Sequence, residues 1–560
     1  MIPTSLADLP ERVDVLIAGG GPSGLFLALD LARRGVRSVV LEPRVEIDWT
    51  RPRSKTTNAR TMTHLRRLGL ADELRAAAPL PVSYSDSVLF CTSLAGRELT
   101  RFTGAFQLQD GRYEPQPECG QQVPQPVVEQ VLRTAVAREE RTALHLGARF
   151  ARSSTAAGAQ DGTLVTVEDG SGNRAHVRAR YLVGADGVSS AVRADLGVRL
   201  EGSSAAKSNL GVVFRSRRTA GAVALDPAVQ YWVTGAEYAG MLGRLDLGDL
   251  WWAIVQGYDP DAPKFADVPV EDVLRALVGA DVDVEVVAQD PWTARMLLAP
   301  TYRRGATFLL GDAAHANPPW GGHGFNTCVG DAANLAWKLA AVLDGWAGEE
   351  LLDSYEAERR PVARRTVDEA ARNGTLLADD LLDPHLEEDG EAGERARDRA
   401  ARALAVKESE FHALGLVLGY AYTGSPLCSP DPEPAPAPDP VAYHPCAVPG
   451  CLLPHAWLDE RTSLYDVLGP GFTLLLDADA FPAAPAPGAV PTGAPLEVRT
   501  VRHPTVGGTF TRVWGAPAVL VRPDQHVAWR GCDLGEVPAA LARATGTAPA
   551  PGGRRLTTVA

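Results

Sequence analysis

Residues Val13–Pro43 read VDVLIAGGGPSGLFLALDLARRGVRSVVLEP, and no other stretch constrains the fold as much. An apolar strand runs into Gly19, Gly21 and Gly24 in a G-x-G-x-x-G spacing. An amphipathic helix follows, and a second strand ends at Glu42, with Arg44 just beyond. The first glycine permits a tight turn, the second lets a pyrophosphate approach the backbone, and the third lets helix and strand pack closely. The helix N-terminus aims N–H groups at the phosphates, and Glu42 can accept hydrogen bonds from ribose hydroxyls. The segment therefore predicts a parallel α/β unit that binds a dinucleotide. It does not choose between NAD and FAD.

The chain has 560 residues, enough for about three domains. Strand-like pieces follow at about 82–115, a helix from Gln125 to about Arg138, and more strands at 145–185 and 200–300. The α/β pattern returns at Ala306–Leu310, with a helix expected over about 326–344. Residues 350–418 are helical and heavily charged. The Pro-rich stretch SPLCSPDPEPAPAPDPV (425–441) reads as a linker, because proline excludes regular helix and central strand. Beyond it, FTLLLDA, VRTV and PAVLVRP followed by a helix read as a small α/β domain, with Phe481–Pro495 one of its loops.

The net charge of −14 argues against a general nucleic-acid binder. No apolar run is long enough to span a bilayer, and no signal peptide is expected at the N-terminus. The seven cysteines are scattered without a CxxC pair, so neither a disulfide framework nor a metal site is expected, and a reducing cytoplasm is the simplest compartment.

Two later motifs decide the ligand: YLVGADGVSSAVR (181–193) and ATFLLGDAAHANPPWGGHGFNTCVGDAANLAWKLAAVL (306–343). With RSKTTNARTMTHLRRLGLADEL (53–74), the chain resembles the single-component FAD-dependent aromatic hydroxylases, of the para-hydroxybenzoate and phenol hydroxylase type. It looks nearest the branch of phenol, 2,4-dichlorophenol and aromatic polyketide hydroxylases. The resemblance implies a Rossmann-like FAD domain (1–81, 116–195, 300–370) interleaved with a β-rich substrate domain (82–115, 196–299). A helical segment (371–424) and the linker follow. PGCLLPHAWL (449–458), SLYDVLGPGFTLLL (463–476) and APAVLVRPDQHVAWR (516–530) resemble the thioredoxin-like tail of that branch, here 442–560. Cys446 and Cys451 do not form a working redox motif, so the tail reads as structural or dimer-forming.

The resemblance also implies site residues. Asp186 and Gly187 match the Asp-Gly motif behind FAD. Asp312 matches the Gly-Asp motif whose carboxylate bonds the ribityl chain. Gln125 matches a helix-start contact, and Pro318, Gly321, Gly322, Gly324, Phe325 and Asn326 are expected to line the flavin. Independently, glycine N–H groups before a helix would stabilise negative charge developing on the flavin. His315 and His323 lack a third ligand at metal spacing, so no metal is expected, and His315 reads as structural.

The implied cofactors are non-covalent FAD, NADPH or NADH as transient reductant, and O2. The flavin hydroperoxide would do the chemistry, so no protein nucleophile is sought. Candidates for the side facing a small aromatic or polycyclic substrate are Arg53, Tyr231, Trp232, Trp252, Trp292, Arg295 and Trp320, together with Trp251. The other role open to each is core packing. Arg51, Arg53 and Lys55 lie on the loop after the second strand and could hold a phenolate or guide a cofactor phosphate. The branch's acidic residue near that loop's end is absent from KTTNAR. The alternatives are a Baeyer–Villiger or epoxidising enzyme on the same scaffold, or a non-catalytic flavin binder. A flavin halogenase is disfavoured because WWAIVQ (251–256) does not match its W-x-W-x-I-P motif.

Overall fold

The computed structural model describes residues 4–155, 162–234, 237–374, 383–482, 493–505 and 507–547. Most of the second Pro/Ala/Gly-rich loop and the last residues of the tail lie outside that range. The strand Arg12–Ala18 is central, and Val15, Leu16 and Ile17 are wholly buried, as a strand covered on both faces requires. It pairs in parallel with Ser38–Glu42 on one side and Arg174–Gly184 on the other. Thr142–Leu146 and Thr307–Leu309 extend the parallel sheet outward. The helices Pro22–Arg33 and His323–Leu343 cover it.

A second, eight-stranded sheet is built from distant segments. Its order is His315–Ala316, Glu285–Leu298, Glu201–Arg215, Leu250–Gln256, Ala239–Arg244, Gln230–Thr234, Val88–Cys91 and Glu98–Phe102. The long strand Glu285–Leu298 pairs with His315–Ala316, three residues beyond Asp312, so this sheet grows directly out of the dinucleotide unit. Side chains alternate between its faces. Tyr231, Val233, Trp251, Ala253 and Leu242 bury against helix Val270–Val278. Trp232, Trp252, Met241, Val213 and Phe90 face the other way, toward Phe411 and Leu404 of the helical segment.

The tail folds as a four-stranded sheet in the order Leu496–Val501, Phe472–Asp477, Ala518–Val521, Val527–Gly531. It is not a separable appendage. Phe472, Leu474, Leu520, Trp529 and Leu541 share one apolar core with the flavin-side helices, and Phe472 lies edge-on to Trp337 at 5.9 Å. Its turn Arg522–His526 enters the interior. Arg522 donates to both oxygens of Glu358 (2.6 and 2.8 Å) and to Asp524 (2.7 Å), and Lys338 donates to Glu358 at 2.6 Å. Asp524 also accepts from Asn334 and Trp337.

The Pro-rich stretch is extended and free of regular structure, as its composition dictates, yet it is pinned. Ser425 donates to Glu358 at 2.6 Å, and Asp431 accepts from Arg530 at 2.8 Å.

Burial opposes ionisation of Glu358, but Arg522 and Lys338 overcome it and hold the carboxyl far below its ordinary value. Its stabilisation is therefore complete above the unfolded carboxyl's value and is lost as pH falls through the depressed folded one. Removing one partner of such a cluster leaves a buried charge uncompensated. Arg522→Met is expected to lower the unfolding free energy by about 3–5 kcal/mol, read by urea unfolding near neutral pH. A loss under about 1 kcal/mol would mean that water or rearrangement replaces the guanidinium.

Candidate active site

At the strand ends, Gly19 has φ +112°, and a Cβ there would meet the Ala185 carbonyl oxygen at 2.2 Å. A Cβ on Gly24 would meet the Gly19 oxygen at 2.1 Å. Gly21 differs, since a Cβ there meets nothing within 4 Å. Two of the three glycines are thus required by protein packing, and the third borders open space at a helix N-terminus, where a pyrophosphate fits. Glu42 accepts from the Gly20 N–H at 2.9 Å and from the Arg44 backbone and guanidinium at 3.0 and 2.9 Å. Arg44 also reaches Glu129 at 3.3 Å. Gln125 opens its helix and donates its backbone N–H to Ser54 at 2.8 Å.

One oxygen of Asp186 caps the helix Ala191–Asp195, accepting from the Ala191 and Val192 N–H groups at 2.7 and 3.1 Å. The other is buried without a partner among the described residues. Gly187 follows with φ +78°. Arg193 ties this motif to the next, donating to the carbonyl of Ala313 at 3.0 Å. Asp312 is exposed, and Gly311 before it lies against Ser23 at the start of the glycine helix. An exposed carboxylate beside the phosphate cradle and a buried, unpartnered one behind it fit a large polar nucleotide cofactor.

The helix after the flavin-loop glycines begins at His323, three residues earlier than expected, with Gly322 as its left-handed N-cap (φ +66°). Gly324 therefore falls in its first turn, where backbone N–H groups lack helical acceptors. Pro318 is buried, and Gly324 and Phe325 are partly exposed. Asn326 is committed to the protein. It accepts from the Asn58 N–H at 3.0 Å and donates to the carbonyls of Gly322 and Thr56, so it fastens the loop to the strap 55–58.

His323 is buried, and that burial pushes its pKa down to about 4. His315 contacts Asp331 at 2.8 Å, and Asp331 accepts from Arg359 at 2.7 Å. Burial opposes a charge on His315, but Asp331 outweighs it and raises the pKa. Both rings are packed in the interior.

The structure divides the substrate candidates. Trp232, Trp252, Trp292 and Trp320 join one cluster at the junction of sheet, flavin loop and helical segment. Tyr231 and Trp251 do not, because they occupy the alternate face. The Tyr231 hydroxyl is spent on the Asp226 carbonyl and the Ala228 N–H, both at 2.9 Å. Arg53 and Arg295 are exposed. Unforeseen members are Phe411, which meets Phe90, Phe102, Phe106 and Trp232, and the buried pair Lys407–Glu410 (3.1 Å). Lys407 lies 4.9 Å over the Trp232 ring. Phe106 and Gln107 are both left-handed, a strained turn with no glycine to announce it.

Residues 12–370 match the family model described as FAD binding domain, and residues 446–548 match that of the aromatic-ring hydroxylase C-terminal domain. The chain belongs to the FAD-dependent aromatic-ring hydroxylase family. It is 30% identical to the 2,4-dichlorophenol 6-monooxygenase of Cupriavidus pinatubonensis, covering 94% of each chain. It is 34% identical to an aklavinone 12-hydroxylase of Streptomyces purpurascens, over 93% of this chain and 95% of that one. The flavin-dependent monooxygenase PieE, solved in complex with FAD and substrate, superposes with a TM-score of 0.84 at 31% identity, over 97% of this chain and all of the other. The family uses FAD, NAD(P)H and O2. No described helix is long and apolar enough to cross a membrane.

The glycines provide a discriminating test. Gly21→Ala is expected to fold normally yet lose FAD affinity about tenfold or more, because the methyl enters ligand space rather than protein. Asp312→Ala is expected to cost about ten- to a hundredfold, the price of leaving a buried ribityl hydroxyl unpaired. Flavin titration by fluorescence reads both, and unchanged affinity in either removes that residue from the cofactor site.

Proposed function

We propose that the chain hydroxylates a flat, electron-rich ring, phenolic or polycyclic and polyketide-like, in the reducing cytoplasm. The observation that carries this reading is the set of four indoles, Trp232, Trp252, Trp292 and Trp320, gathered where the β-sheet meets the flavin loop. Such a lining suits a large planar guest. The aklavinone relative acts on a substrate of the class we infer here.

FAD, when bound, carries electrons from NAD(P)H to O2 and delivers one oxygen atom to the ring. The chain's own residues prepare that step. Gly21 and the N-terminus of helix Pro22–Arg33 take the pyrophosphate, Glu42 the ribose, and Asp312 the ribityl hydroxyls. The N–H groups at the start of helix His323–Leu343 would stabilise negative charge on a flavin bound beside them, and the helix macrodipole would favour that charge. Asp186 stands behind, its free oxygen available to the cofactor. Asn326 contributes indirectly, holding loop and strap together. The helical segment excludes water from the indole face through Phe411 and the Lys407–Glu410 pair.

The test is a screen of phenols and multi-ring hydroxyquinones for stimulated NAD(P)H consumption, followed by product mass under 18O2. The expected product gains one labelled oxygen with its ring skeleton intact, whereas a ring-expanded lactone would mark Baeyer–Villiger chemistry. We also expect substrate to gate reduction. Anaerobic stopped-flow should show the flavin reduced at least about tenfold faster with a competent phenol, which is about 1.4 kcal/mol of barrier. Equal rates would sink the gating and leave the hydroxylase assignment intact.

A further inference from the structure

Two lysines, Lys338 and Lys407, are buried among the described residues, and both are matched to carboxylates, whereas Lys55 is half-buried. Lys338 holds Glu358 at 2.6 Å, and Lys407 holds Glu410 at 3.1 Å. Lys55 is not matched, and among the described residues no carboxylate offsets its charge. Its ammonium lies 4.2 Å above the ring of Trp252, one of the four clustered indoles. An indole face attracts a cation but offers no lone pair to its three N–H donors.

The position of Lys55 is fixed by its neighbours. Its carbonyl accepts from the Val123 N–H at 2.8 Å, and Thr56 pairs with Gln122. A side chain grown on Gly322 would meet Thr56 at 3.5 Å, so Lys55 stands one residue from the flavin loop. Arg51, on the same loop, is turned elsewhere, toward Asp290 (3.7 Å) and Asp48 (3.8 Å).

We infer that the Lys55 ammonium receives an anionic oxygen borne on the edge of the substrate ring. This rests on the hydroxylase reading above and refines it. A phenol bound there gives up its O–H proton to water and leaves a phenolate paired with the ammonium, a step that needs no oxidant. The ring gains electron density where an electrophilic oxygen is to be delivered. Burial lowers the Lys55 pKa to about 8, which still leaves the group cationic at neutral pH. No carboxylate in the KTTNAR strap is needed to draw off the phenolic proton, because the cation stabilises the product of losing it.

The probe is alizarin, whose neutral form is yellow and whose anion is red-violet, absorbing beyond the oxidised flavin band. It is added to flavin-loaded protein at a pH where the free dye is mostly neutral. The wild type is expected to hold the coloured anion. Lys55→Met should raise the ionisation midpoint of the bound dye by about one pH unit or more, a tenfold change, and Lys55→Arg should restore it. Anthraquinone-2-carboxylate should bind Lys55→Met about tenfold more weakly, while uncharged anthraquinone changes less than about twofold. Loss for alizarin alone assigns the site to a phenolate, and loss for both assigns it to any anionic oxygen on a flat ring. Absence of anionic dye on the wild type, or equal colour in wild type and Lys55→Met, overturns the inference. Retained flavin in each variant reports that the site is folded. An enzyme that shows the colour change yet oxygenates no phenol refutes the hydroxylase reading instead.

Discussion

The buried cluster of Glu358, Arg522, Asp524 and Lys338 is the interaction on which the arrangement of this chain depends. Each group would be costly alone in the interior, and none is alone. Glu358 comes from the helix Ser354–Asn373, Lys338 from the helix that begins at the flavin loop, and Arg522 and Asp524 from a turn of the C-terminal sheet. Those two helices cannot slide past each other, and the tail cannot leave, without exposing a charge to an apolar core. From Asp524 the order continues outward. His526 stacks on Tyr422 at 4.2 Å, Tyr422 accepts from Arg359, and Arg359 holds Asp331 against His315, three residues from Asp312. The tail thus has a mechanical connection to the cofactor motif.

The second constraint is the period of two in the substrate sheet. Adjacent residues on a strand serve different masters, which is why Trp251 packs on a helix while Trp252 meets Lys55. The same alternation takes Tyr231 away from the ring site and leaves Trp232 in it. A bulky aromatic pair in sequence is therefore half core and half lining, and its register against neighbouring strands decides which half is which.

That explains what was legible beforehand. The glycine spacing, the Asp-Gly and Gly-Asp motifs and the strand order at the cofactor are local signals, and each has a local physical cause. Gly19 and Gly24 are glycines because a Cβ would strike a carbonyl, whereas a Cβ on Gly21 would meet no protein atom within 4 Å. The tie that Asn326 makes to the strap could not be read beforehand, because its partners, Asn58 and Thr56, are remote in sequence. Phe411 and Lys407 were invisible for the same reason. Nothing in ESEF or AVK announces that they close over a sheet built from residues 88–298. The tail's docking was hidden too, since Arg522 and Asp524 in RPDQH read as an ordinary charged turn.

The helical segment, which composition alone described only as charged, completes the site by tension between two partners. Lys407 lies over Trp232 of the sheet, and its carboxylate partner Glu410 is eased toward ionisation by the backbone N–H of Gly321 in the flavin loop. Burial nonetheless outweighs both this N–H and Lys407 and raises the Glu410 pKa. Gly374, at the end of the preceding helix, admits the Trp320 ring, which a Cβ there would strike at 2.6 Å. The cover over the indole face is therefore held by an indole in a glycine notch, by the ring contacts of Phe411 and by a buried ion pair. The scaffold below is held by a saturated charge network. A large flat guest would have to part those ring contacts to enter, and their closing would exclude water from it.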